Sequence, residues 1–82
     1  MNDIREKLAA LQHEIWSDWM KWLFQCCIQN PDGSMTIPVE KVDRWQRQMQ
    51  APYAELSEGE QESDRIEADK TLRIIQSNLE QD

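Results

Sequence analysis

Disulfide staples are missing from this chain. Two of its 82 residues are cysteine. Cys26 and Cys27 are adjacent, so they cannot tie distant segments together. His13 is the sole histidine, and with that cysteine pair it makes no zinc pattern. No apolar run approaches the ~20 residues needed to span a membrane. The N-terminal "MNDIREKLAA" is polar and carries no secretory signal pattern, so a reducing, cytoplasmic setting is expected. Positive charge is also scarce: nine Lys and Arg stand against sixteen Asp and Glu, for a net charge of −7. That balance excludes general DNA or RNA binding and attachment to an anionic membrane surface, both of which need a basic footprint.

The charge that is present is unevenly placed. Residues 1–34 carry −2, residues 35–54 carry +1 through Lys41, Arg44 and Arg47, and residues 55–82 carry −6. A small anionic ligand therefore needs local cations to converge on it. The length fits one domain, 1–82, near the small end of what folds alone.

Apolar spacing predicts an all-α domain of three helices, with a short extended turn between helices 1 and 2. Helix 1 is expected over about residues 3–29. Ile4, Leu8, Leu11, Ile15, Trp19, Trp22 and Cys26 share one face, while His13, Trp16, Met20, Phe24 and Cys27 share the neighbouring one. In its C-terminal half the apolar arc spans roughly 220°, more than 82 residues can cover in one copy, so a homo-oligomer is expected. "NPDGS" ends this helix in a turn, with Pro31 at its second position and Gly33 supplying positive φ. "MTIP" is extended. Pro38 opens helix 2, expected over about residues 38–50, with Val39, Val42, Trp45 and Met49 inward and Lys41, Arg44, Arg47 and Gln48 outward.

Pro52 interrupts helix 2. Ser57 and Glu60 have the spacing of a capping box, and Glu58, Glu60 and Glu62 suit the positive end of a helix dipole, so helix 3 is expected over about residues 58–79 with a frayed tail. Its apolar stripe is Ala68, Leu72, Ile75 and Leu79. Extended backward, that stripe passes through Gln61 and Arg65, which turns Arg65 toward the interior. A guanidinium there needs acceptors: Glu62, Asp18 or the carbonyls of residues 52–55.

The candidate functional residues follow from these placements. Arg65 and Tyr53 either fasten the loop after helix 2 to helix 3 or face an anionic group of a ligand. Trp16, Trp19, Trp22 and Trp45 are core packing or a stacking platform, and Trp16 beside His13 is the pair nearest the margin of the apolar arc. His13 has no partnered nucleophile or base, so catalysis is not expected. An EF-hand alignment of "DGSMTIPVE" puts Ile28 and Val39 where acidic ligands belong, which excludes calcium there. No metal and no cofactor are expected.

The stretch "PYAELSEGEQESDR" resembles the ryanodine receptor (RyR) repeat, in which Pro-Tyr, Leu-Ser-Glu and an acidic run ending in arginine open a helix. The matching positions are Pro52, Tyr53, Leu56, Ser57, Glu58, Glu60, Glu62 and Arg65, and His13 with Trp16 looks like the family's first helix. The glycine-tryptophan segment usual in the family is absent, and "TIPVEKVDRWQRQM" stands in its place. Together with "WSDWMKWLF" and "SDRIEAD" the pattern is similar to small phage and prophage proteins, over roughly residues 13–75. The resemblance implies a mostly helical module, structural and cytoplasmic in animal channels, and a binder of nucleotide-derived ligands in stand-alone phage versions acting in the host cytoplasm. Two functions are carried forward. One is a non-enzymatic module that holds a nucleotide-type small molecule through His13, Trp16, Arg44, Arg47, Tyr53 and Arg65. The other is a protein-interaction scaffold acting through its oligomer and acidic surface.

Overall fold

The structure, a computed structural model, describes residues 3–80. Its elements run α1 (Ile4–Cys26), β1 (Ile28–Gln29), β2 (Met35–Thr36), α2 (Val39–Gln50), a 3₁₀ turn (Tyr53–Glu55) and α3 (Glu58–Glu80). The mostly helical, three-helix expectation holds. Its boundaries move little, except that α1 stops three residues early because the chain at Cys27 turns extended, with φ −90° and ψ 156°. Ile28 and Gln29, expected inside that helix, instead pair antiparallel with Thr36 and Met35. At the other end, α3 runs on through Glu80, where a frayed tail was expected; the last two residues of that tail lie outside the described residues.

Local chemistry explains the hairpin between the strands. The Gly33 amide donates to the Asn30 carbonyl at 3.1 Å, which places Pro31 second in the turn. Gly33 has φ +90°, a conformation that costs glycine little. The Asp32 carboxylate accepts from the Ser34 hydroxyl at 2.6 Å and from the Ser34 amide at 2.9 Å. These two bonds hold the Asp32 carboxyl below its ordinary range. Asn30 Nδ2 adds bonds to Ser34 Oγ and Thr36 Oγ1, each at 3.0 Å.

α1 and α3 form the principal helix pair. α3 returns along α1, so Leu11, Glu14 and Asp18 meet Lys70, Arg73 and Ile74 across a small cleft. α2 is joined to α1 chiefly through Trp45, whose ring lies 6.4 Å from that of Trp19 and 5.4 Å from that of Trp22, both tilted. Among the described residues, Leu11 is the one apolar side chain that is truly buried, at 6 % exposure. The fold is a plate of 52 × 34 × 16 Å with a radius of gyration of 16.8 Å, against about 12 Å for a compact chain of this length.

Two helix faces differ from expectation. On α2, Val39 and Met49 are exposed while Lys41 and Gln48 are half-buried, so its inner face is rotated toward the polar side. On α3 the inward residues are Glu60, Gln61, Glu67, Lys70, Thr71, Ile74, Ile75 and Asn78. The stripe expected to face the core is mostly outside: Ala68 is exposed, as are Leu72 at 51 % and Leu79 at 67 %. The rotation of α3 is set at its first turn. The Ser57 amide donates to Glu60 Oε1 at 3.0 Å, and the Glu60 amide donates to Ser57 Oγ at 3.2 Å, closing the expected capping box. Gln61 Nε2 then donates to the Tyr53 carbonyl at 2.9 Å. These bonds turn Glu60 inward and leave Arg65 outward.

The box has a measurable consequence. The amide of Ser57, more than any other contact, holds the Glu60 carboxyl below its ordinary value of 4.5, against the opposing effect of burial. A depressed carboxyl contributes stability that is full above its unfolded value and is lost as the pH falls through the folded one. Thermal melts should therefore weaken on acidification below that value. Glu60→Gln, which keeps a capping side chain, should flatten this part of the pH dependence. Ser57→Ala should cost about 1 kcal/mol at neutral pH. A melting midpoint with the same acid dependence in wild type and Glu60→Gln would show that the box carriers are not the groups titrating.

Candidate functional site

A wide groove opens between the second half of α1, α2 and the first half of α3. Its volume is about 1080 Å³. Trp16, Trp19 and Trp22 come from α1, where a spacing of three sets each indole near the next on the helix surface. Trp45 and Met49 come from α2. The rings are not covered: Trp16 is 58 % and Trp19 51 % exposed. Large aromatic surfaces left in water are costly, at about 25 cal/mol per Å² of apolar area, so a patch of this kind on a small chain points to something that covers it.

The charged lining of the groove is mostly acidic. Asp18, Glu60, Asp64 and Glu67 face it, against Arg44 alone among cationic side chains. Arg47 stands nearby with its guanidinium 3.8 Å from Glu60 Oε2, too far for a direct hydrogen bond. Glu67 Oε2 is out of contact with solvent and accepts no hydrogen bond, although Lys70 Nζ lies 3.3 Å away. The groove thus offers indole faces, a methionine and spare carboxylate acceptors. That chemistry suits an apolar partner with positive charge at its margins more than it suits a phosphate.

The six residues expected to form one site divide into two groups. His13 and Trp16 stack, with ring centroids 6.1 Å apart and 26° between planes, and His13 Nε2 lies 3.5 Å from Ser17 Oγ. Trp16 and Arg44 both line the groove, and Arg47 stands at its α3 edge beside Glu60. Tyr53 and Arg65 are elsewhere, outside the groove's lining. Arg65 does not face the core. It donates to Glu58 Oε1 at 2.7 Å, Glu62 Oε1 at 3.2 Å and Gln61 Oε1 at 3.1 Å. The two carboxylates, Glu58 foremost, raise its already high pKa and keep it charged. Of the acceptors expected for it, Glu62 is one, whereas Asp18 is across the fold and the loop carbonyl of Tyr53 is taken by Gln61. Arg65 is therefore tied to the tyrosine loop by hydrogen bonds through Gln61 and lies within electrostatic reach of Tyr53 itself.

Sequence reasoning weighed Trp19, Trp22 and Trp45 as core packing or a stacking platform but favoured Trp16, considered Asp18 only as a partner for Arg65, and passed over Asp64 and Glu67. The signal for the tryptophans was present in the wide apolar arc of α1. The acidic rim had no such signal, because Asp64 and Glu67 read as an ordinary solvated helix face. Compared with protein-family models, curated proteins and solved structures, the chain finds no match. Among the described residues no helix is long and apolar enough to cross a membrane.

Proposed function

We propose that this chain is a small, non-enzymatic helical module of the RyR-repeat kind that acts as a protein-interaction scaffold in the cytoplasm. Its aromatic groove takes an apolar helical segment with basic flanks, in the helix-in-groove manner. The observation that carries this reading is the pairing of exposed indoles at the floor with four carboxylates at the walls. Tryptophans in such a groove are the side chains that anchor protein interfaces.

One observation favours a second reading, in which a phage-encoded module sequesters a nucleotide-derived ligand. The His13–Trp16 stack leaves an indole open in the groove that Arg44 also lines, where a base could stack and a phosphate could meet one cation. The acidic walls oppose the phosphate, and Tyr53 and Arg65 lie outside the groove's lining.

Two probes separate the readings. A designed leucine/lysine amphipathic helix should shift tryptophan emission to the blue in a salt-sensitive way, and a leucine/glutamate helix of the same pattern should not. Cyclic and linear nucleotides should leave the melting midpoint unchanged. A nucleotide that raises the midpoint by mass action, with the rise lost in Trp16→Ala and Arg44→Ala, would replace the scaffold reading with the ligand one.

A further inference from the structure

The chain exposes 6679 Å² of accessible surface. A compact monomer of its 9.8 kDa mass exposes about 5,200 Å². The excess is thus on the order of 1,500 Å², nearly twice the ~800 Å² that each partner contributes to a standard protein interface. The plate is also only 16 Å through its thinnest axis. Domains stack two layers of secondary structure around a core, and this one presents a single layer with its aromatic side open.

The two walls of the groove carry opposite charge. α2 contributes Arg44, with Arg47 at the groove's edge beside Glu60. The first half of α3 contributes Glu60, Asp64 and Glu67. A two-fold axis through the α1 floor exchanges the walls, since in an isologous contact residue i of one copy meets residue j of the other and the reverse. We propose that the occupant of the groove is a second copy of this chain, with the basic edge of α2 on each copy lying along the acidic first half of α3 on the other, and with Trp16, Trp19 and Met49 buried between them. This rests on the reading of the groove as a protein-docking surface and names its partner. The chain supplies both the apolar floor and the complement to its own acidic wall.

The test uses charge exchange, because Arg44 and Asp64 are exposed and neither makes a hydrogen bond of the capping box. Sedimentation equilibrium should give twice the single-chain mass for the wild type. Arg44→Glu alone and Asp64→Lys alone should each weaken the dimer by about tenfold or more, with far-UV circular dichroism unchanged. An equimolar mixture of the two variants should regain wild-type affinity, because both cross-copy contacts are then complementary, and so should the double variant on one chain. Trp19→Glu should be monomeric. The leucine/lysine helix should dissociate the wild-type dimer. A wild type that stays monomeric at all attainable concentrations, yet shifts its emission with that peptide, overturns the second copy and leaves the docking groove standing. A dimer indifferent to both charge variants and to Trp19→Glu, with no response to the peptide, overturns the inference and the docking reading together.

Discussion

Trp45→Ala is expected to cost about 3–5 kcal/mol and to release α2 from the rest of the fold. Trp45 is the side chain through which this helix meets Trp19 and Trp22. α2 is 12 residues long, and an isolated helix of that length is marginal in water. Total stability for a chain of this size is about 4–12 kcal/mol, so the loss is a large share of it. Urea melts should show a much lower midpoint, and far-UV circular dichroism should show helical signal lost before the transition as α2 unravels. Trp45→Phe keeps a ring of reduced size in the same place and should recover much of the difference. An alanine variant with a wild-type midpoint would mean that α2 is held by contacts other than these rings.

Leu11→Ala should have the next largest effect, about 3 kcal/mol. Leu11 is the buried apolar anchor between α1 and α3 and shares its cleft with Ile74. Removing its branched end leaves a void where two long helices meet, and neither can collapse into it without moving along its whole length. The informative control is Leu72→Ala. That residue belongs to the most apolar stripe of α3, yet it lies half in solvent on the outer side. Its truncation should stay within about 0.5 kcal/mol. If denaturant melts reverse this order, with Leu72 costly and Leu11 cheap, then α3 presents its apolar stripe to α1 and the rotation described above is wrong.

That rotation also shows where sequence reasoning succeeds and where it stops. The features read correctly are set by neighbours in the chain. Gly33 with its positive φ, Pro38 before α2, and the reciprocal Ser57–Glu60 bonds all depend on residues within four positions. The face of α3 depends on something else. Periodicity assigns the most apolar stripe to the interior, but Glu60 is fixed inward by its cap at 9 % exposure, and Gln61 is drawn to the Tyr53 carbonyl. Once the first turn is anchored, every later residue follows at 100° per step, and Lys70, Thr71 and Asn78 are carried inward with it. Arg65 is carried outward for the same reason, and the site imagined around it divides. On α1 the reading fares better, since the wide apolar arc contains the indoles that the fold leaves exposed.

The indole trio of Trp19, Trp22 and Trp45 has an optical consequence. Their rings sit at 5.4 and 6.4 Å with planes inclined by 56° and 50°. Neighbouring chromophores at such short range and oblique angles couple their electronic transitions, and the coupled pair gives a split band of opposite signs in the ultraviolet dichroism of the aromatic side chains. The chain therefore carries its own gauge of whether its middle helix is seated, readable without any attached dye.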